Sequence, residues 1–184
     1  MNILILGSGA WGTSLSQVFA KNKNKVTLWS YEKKVSLQIN KIHNNKKYLN
    51  NIKLSKNIIS THLPLNPIDF EYIFYVSPAQ HLVSVLNQSL TSDKIGNIVI
   101  CSKGIDIKSG NIISDVLIKN FKVGNIHVLS GPSFAKEIAL GQPAALSLGS
   151  KTKSDKLEEL FKGTNIRIYL SKEYKAIQLL GAIK

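Results

Sequence analysis

An α/β fold with a doubly wound, mostly parallel sheet is what this sequence predicts, and three observations predict it. Short apolar runs alternate with segments of helical spacing along the whole chain, the pattern that lays helices on both faces of a parallel sheet. Several runs, Tyr72-Ile73-Phe74-Tyr75-Val76 above all, are apolar at every position rather than at every second one, as strands buried on both faces are. The first run, Asn2 to Leu6, stops at a glycine and passes straight into a helical segment, so strand, tight turn and helix start follow one another.

That opening reads Asn2-Ile3-Leu4-Ile5-Leu6-Gly7-Ser8-Gly9-Ala10-Trp11-Gly12, and its glycines form G-x-G-x-x-G. In such a turn Gly7 allows the sharp bend, Gly9 lets a pyrophosphate approach the backbone, and Gly12 lets the helix pack on the strand. Thr13 to Ala20 then reads as helix; its unpaired first-turn N–H groups and its dipole favour phosphate. Glycines also cluster in ordinary turns. Here the strand before and the helix after supply the setting of a Rossmann-like dinucleotide-binding domain, with NAD or NADP as the cofactor.

The remaining elements follow in order. Asn22-Lys23-Asn24 is a polar turn and Lys25 to Trp29 a second strand. At the end of that strand a carboxylate selects NAD and a cation favours the 2′-phosphate of NADP. Glu32, about 20 residues after Gly12, stands near the place of a ribose acid, or else simply starts the next helix. Ser30, Lys33 and Lys34 stand where a 2′-phosphate would be received, so the choice between cofactors stays open. Val35 to His43 reads as helix, and Asn44 to Ile52 as a surface loop with Tyr48-Leu49 as its apolar anchor. Ile58 to Ser60 is a short strand, and Leu63 to Asp69, with Pro64 and Pro67, is irregular.

Tyr72 to Val76 is a buried strand ending at Ser77-Pro78, and Ala79 to Leu90 has helical spacing. Asn97 to Cys101 is a strand ending at Ser102-Lys103-Gly104; Asn111 to Phe121 is a helix. His127 to Leu129 is a strand ending at Ser130-Gly131-Pro132-Ser133, and Phe134 to Leu140 a short helix closed by Gly141. Ala144 to Leu148 is a strand, Ser154 to Lys162 a helix, Ile166 to Leu170 a strand, and 172–184 the last helix. Such folds place their chemistry at the carboxyl ends of the strands. Lys103 there reads as a solvated loop lysine or as a site residue. Gly131-Pro132-Ser133 reads as a turn with a serine N-cap, as a site, or as both.

Composition narrows the classes. The chain has 184 residues, 43% apolar and 19% charged, enough for one globular domain with a core. The one cysteine, Cys101, excludes an intramolecular disulfide and any cysteine-based zinc cluster, and its apolar surroundings make it a buried packing residue; no metal site is expected. The formal charge is +13, yet 23 residues are lysine and only Arg167 is arginine. Lysines scattered among Asn and Ile resemble codon bias more than the clustered arginine of a nucleic-acid reader, so no nucleic-acid partner is expected. A positive field would still draw in an anionic, phosphorylated substrate. No apolar run reaches a membrane span, and the first residues carry no basic n-region or cleavage site, so no membrane partner and a cytoplasmic location are expected.

Together the motifs resemble those of NAD(P)-dependent glycerol-3-phosphate dehydrogenases of the bacterial soluble type. Gly7-Ser8-Gly9-Ala10-Trp11-Gly12-Thr13 resembles the family's GxGxWGT start, Leu28-Trp29 its second strand end, Ser77-Pro78 a strand-end step, and Lys103-Gly104 its K-G pair. Gly131-Pro132-Ser133-Phe134-Ala135-Lys136-Glu137 matches the most specific piece, G-P-[ST]-F-A-x-E, and Gln178 to Lys184 resembles the segment that carries a catalytic lysine. The resemblance implies interconversion of dihydroxyacetone phosphate and sn-glycerol 3-phosphate by hydride transfer, serving glycerophospholipid synthesis. It implies Lys184 as general acid/base, Lys103 as the substrate-binding residue that polarises the reacting oxygen, and Gly131 and Ser133 as lining of the substrate site. Gly7, Gly9, Ala10, Trp11, Gly12, Tyr31, Lys103 and Ala135 fall on cofactor-contacting positions. The family often has other residues at Ala10 and Tyr31, so contacts there run through backbone or stacking.

The resemblance further implies that family members run beyond Lys184 into an all-helical substrate domain and pair as homodimers. The expectation is that residues 1–184 are one NAD(P)-binding domain without that helical partner and are inactive alone. Two alternatives are a non-catalytic NAD(P)-binding module and another oxidoreductase of the 6-phosphogluconate-dehydrogenase-like group. The G-P-S-F-A-K-E run argues against the second.

Overall fold

The computed structural model describes residues 1–152 and 154–183. The described residues form one eight-stranded sheet: β1 (Asn2–Leu6), β2 (Lys25–Trp29), β3 (Ile58–Thr61), β4 (Tyr72–Tyr75), β5 (Lys94–Ile100), β6 (Lys122–Ser130), β7 (Ala144–Ser150) and β8 (Ile166–Ser171). Seven α-helices accompany it: α1 (Ala10–Lys21), α2 (Lys33–Ile42), α3 (Leu82–Ser89), α4 (Ile113–Asn120), α5 (Ala135–Leu140), α6 (Asp155–Glu159) and α7 (Tyr174–Ile183).

The strand order is β3-β2-β1-β4-β5-β6-β7-β8. The chain starts in the middle, winds outward through β2 and β3, and returns to lay β4 on the other side of β1. The reversal leaves a crevice at the carboxyl ends of β1 and β4, where open α/β sheets take ligands. All pairings are parallel except β6 with β7. That exception has a local cause: α5 is short and Gly141 ends it in the left-handed region at φ 93°. The connection never crosses the sheet, so β7 starts at the edge where β6 ended and residues 131–135 stay on that edge.

Alternation along β1 divides the core. Ile3 and Ile5 face one side with Leu15, Phe19, Val26, Leu28 and Phe74. Leu4 and Leu6 face the other with Ile73, Tyr75, Leu86, Ile98, Ile100 and Leu117. Both faces are covered, so the parallel strands are apolar throughout. Polar residues are buried in α1 because they find backbone partners. Ser14 and Ser16 donate to the carbonyls of Ala10 and Gly12, both at 2.8 Å.

The structure corrects several sequence expectations. Helix α1 starts at Ala10, not Thr13, with Gly9 as its N-cap. The helix expected over Ala79 to Leu90 opens as a 3₁₀ turn, Ala79–His81. β5 and β6 start earlier than their apolar runs, at Lys94 and Lys122. The cap of α5 is Phe134, with no side-chain bond, so Ser133 does not cap it. Residues 44–52 do not merely cross the surface: Asn45, Leu49 and Ile52 are all buried.

Candidate functional site

The glycine turn after β1 is built as a cradle. Gly7 sits at φ 123°, a conformation open to glycine, and a Cβ there would lie 2.7 Å from Ser77 Oγ on the neighbouring β4 turn. A Cβ on Gly12 would fall 1.9 Å from the Gly7 carbonyl oxygen, so helix and turn touch backbone to backbone. Beside Gly9 the space is open: none of the described residues lies within 4 Å of its Cβ position. Among the described residues no side chain caps α1, whose first-turn N–H groups lack intrahelical acceptors. The cradle thus fits a pyrophosphate.

Distant parts of the chain lock the turn. The Ser8 carbonyl accepts hydrogen bonds from Asn45 Nδ2 at 2.8 Å and from Thr13 Oγ1 at 3.2 Å. Asn45 Nδ2 also donates to Thr13 Oγ1 at 2.8 Å. Ser30, fully buried, donates to the Glu32 carbonyl at 3.0 Å, and its Oγ lies 2.7 Å from Ser8 Oγ, so the Ser8 hydroxyl donates between them. Ser14 Oγ also reaches the Ala135 carbonyl at 2.6 Å and ties α1 to the start of α5.

Against this turn lies a cleft of about 240 Å³ lined by Trp11, Cys101, Lys103, Leu129, Ser130, Gly131, Ser133 and Ala135. It brings together Trp11, Lys103, Gly131, Ser133 and Ala135, which the sequence placed in the site. A second hollow of about 190 Å³ shares Lys103, Ser130 and Gly131 and adds Pro132, Ser147, Ile177, Leu180 and Gly181. At Gly131 a Cβ would lie 2.7 Å from Leu146 Cδ2, so its contribution is bare backbone pressed on β7. At Gly181 a Cβ would lie 2.9 Å from Ser130 Oγ and 3.8 Å from Lys103 Cγ, so α7 crosses directly over the end of β6. Burial raises the pKa of the Cys101 thiol well above its ordinary value, which leaves the sulfur a protonated packing group in the cleft wall.

Some expected residues stand elsewhere. Tyr31 is 72% exposed at the end of β2 and does not line the cleft. Ser30 is no receiver of a 2′-phosphate, since its hydroxyl is buried and engaged. Glu32 starts α2 as its N-cap through backbone alone, and its carboxylate turns to Lys47 and Tyr48. Those bonds hold its carboxyl below the usual value, the Lys47 contact most of all. Lys184 lies outside the described residues. Ser8, Ser130 and Asn45 belong to the site without having been expected there. For Ser130 the signal was present, since it heads the Ser130-Gly131-Pro132-Ser133 strand end. For Asn45 nothing in a polar loop marked one asparagine among five between 40 and 51.

A larger cavity of about 300 Å³ lies towards the opposite edge, between His127, Leu148, Leu157 and Leu170. It shares no lining residue with the two hollows at the cradle.

Comparison with known proteins agrees with the geometry. Residues 2–156 match the family model for the NAD-dependent glycerol-3-phosphate dehydrogenase N-terminus. The chain is 37% identical over its full length to a glycerol-3-phosphate dehydrogenase (NAD(P)+) of Maricaulis maris, of which it covers 56%. It is 34% identical over 99% of its length to the protein of that name from Erythrobacter litoralis, covering 55% of it. A crystal structure of glycerol-3-phosphate dehydrogenase from Coxiella burnetii superposes with a TM-score of 0.86 at 28% identity, covering 98% of this chain and 56% of that one. The chain therefore spans about half the length of these relatives.

Proposed function

The chain belongs to the NAD-dependent glycerol-3-phosphate dehydrogenase family, and from that premise we propose that residues 1–184 are the NAD(P)-binding domain of a cytoplasmic enzyme interconverting dihydroxyacetone phosphate and sn-glycerol 3-phosphate. The observation that carries the reading is the open face of Gly9 at the uncapped start of α1, next to a cleft that holds Trp11, Lys103 and Ala135. Among the described residues no helix is long and apolar enough to cross a membrane.

The residues divide the work. Gly7, Gly9 and the first turn of α1, Ala10 to Gly12, hold the pyrophosphate with backbone N–H groups. Trp11 and Ala135 wall the path from the cradle into the cleft. A bound nicotinamide supplies the hydride chemistry, which side chains cannot. Lys103, the cation common to both hollows, places positive charge where oxygen gains negative charge during ketone reduction. Ser133 and the bare backbone of Gly131 hold the small polyol end of the substrate, and the +13 charge of the chain draws in its phosphate. Lys184 keeps the role of proton donor on its place in the Gly181-Ala182-Ile183-Lys184 run.

The reading is tested by titrating NADH and NADPH against the chain and following nicotinamide fluorescence. Gly9→Val fills the space beside the cradle and is expected to abolish binding of both. Undiminished affinity in that variant would remove the cradle from the account. Turnover is measured on the protein that carries this chain, as NADH oxidation dependent on dihydroxyacetone phosphate.

A further inference from the structure

The end of β2 carries no free carboxylate. In a doubly wound fold a carboxylate at the end of β2 takes the ribose hydroxyls. Here the side chain at that end, Ser30, is buried and bonded to the glycine turn. Two residues on, Glu32 is the nearest acid, and it is already held. Lys47 Nζ lies 2.8 Å and 2.6 Å from its two carboxylate oxygens, and the Tyr48 hydroxyl donates to one of them. The Lys47 ammonium also stands 5.0 Å from the centre of the Tyr48 ring.

These two residues come from the loop after α2, and that loop is fixed in place. Asn45, two residues before Lys47, is fully buried and bonded to Ser8 and Thr13 of the cradle. Tyr48 N donates to Asn45 Oδ1 at 3.2 Å, and Leu49 is buried just beyond. Loop and cradle are thus one piece, and Lys47 is carried to the end of β2 by contacts it does not itself make. Its side chain remains half exposed, with the exposed Lys46 beside it in the chain and the exposed Lys33 and Lys34 following Glu32.

We propose that Lys47, resting on the family reading above, is the residue that sets selectivity at the ribose 2′ position: it neutralises Glu32, turns that carboxylate away from the ribose, and offers its own ammonium to a 2′-phosphate. Glu32 is consequently a holder of Lys47 and not a ligand of ribose. The chain then takes the phosphorylated dinucleotide at least as well as the unphosphorylated one, although an acid stands two residues past the strand end. A free carboxylate at this place would repel the phosphate dianion; a paired one does not.

The test is the ratio of NADH to NADPH dissociation constants, read by nicotinamide fluorescence on the full chain. Lys47→Met removes one charge-assisted phosphate contact and frees Glu32, so NADPH binding is expected to weaken about ten- to a hundredfold while NADH changes less than about threefold. Lys47→Arg, which keeps the charge, is expected to restore the wild-type ratio. Glu32→Gln is expected to leave NADH binding alone and tighten NADPH. Added salt is expected to weaken NADPH more than NADH. Equal loss of both cofactors in Lys47→Met would make Lys47 a strut for the loop and overturn the proposal, as would an unchanged ratio or a selective loss of NADH in Glu32→Gln. If the wild-type chain binds neither dinucleotide, the cofactor reading itself fails, and the selectivity proposal falls with it.

Discussion

Gly9 and Gly12 sit three residues apart in one turn and do opposite work. A methyl group on Gly12 would lie 1.9 Å from the Gly7 carbonyl oxygen, which is backbone and does not swing aside. On Gly9 it would meet none of the described residues. Gly12→Ala is therefore expected to lower stability by about 2 kcal/mol or more, since α1 must lift off the turn. Gly9→Val is expected to cost no more than about 1 kcal/mol, the price of a poor N-cap, while removing cofactor binding. Urea denaturation of the two variants separates these effects; equal stabilities would mean that α1 slides on its turn at little cost. The bend at Gly7 and the close packing at Gly12 were legible in the sequence because they follow from local covalent geometry, read over six residues. Lys103, Gly131, Ser133 and Ala135 were legible through motif resemblance, and the structure brings them into one cleft with Trp11. Asn45 and Lys47 were not, because their partners, Ser8, Thr13 and Glu32, lie 15 to 37 residues away in the chain.

At the scale of elements the same distinction holds. β2 was read to its ends, Lys25 to Trp29, because an apolar run and a polar turn bound it. β6 was read as three residues and has nine, because its first half, Lys122 to Asn125, has one apolar residue, Val123, and owes its strand conformation to pairing with β5. The loop after α2 is the clearest case. Read as a surface crossing, it carries a fully buried asparagine whose amide replaces water on the Ser8 carbonyl and the Thr13 hydroxyl. Asn45→Ala removes both bonds and the acceptor for Tyr48 N. It is expected to cost about 1–3 kcal/mol and to detach residues 44–52 from the cradle. Limited proteolysis is the measurement, with faster cleavage in that loop as the expected result and Leu49 and Ile52 exposed as its cause. Protection equal to wild type would show that apolar anchoring alone holds the loop.

For the whole molecule, the sheet depends on its middle strands, and β6 carries a buried base there. His127 pairs with Val99 of β5 on one side and Ser150 of β7 on the other. It is 1% exposed, neither ring nitrogen has a hydrogen-bond partner among the described residues, and its ring meets Tyr72 edge-on at 6.1 Å. Burial opposes its charged form and lowers its pKa from 6.5 to about 4. Above pH 6.5 the folded and unfolded chains both hold it neutral, and it contributes no pH dependence. Between pH 6.5 and about 4 the unfolded chain binds a proton that the folded one refuses, so stability falls as pH falls, by about 1.4 kcal/mol per unit. The Glu32 contribution has the same sign in a lower window. Its lowered pKa gives stability that is lost only as pH falls below its ordinary 4.5, outside most of that window. Self-repulsion of a chain at +13 also grows on acidification, but salt screens it over roughly 8 Å at physiological strength, whereas a buried imidazole is little affected. Unfolding free energies measured in urea from pH 7 to pH 5, at low and high salt, separate the two. His127→Phe keeps a ring against Tyr72 and cannot titrate, so its expected result is a flat profile at high salt where the wild type slopes. A wild-type slope that high salt abolishes, or one that survives in His127→Phe, would move the acid sensitivity from the centre of the sheet to the surface charge.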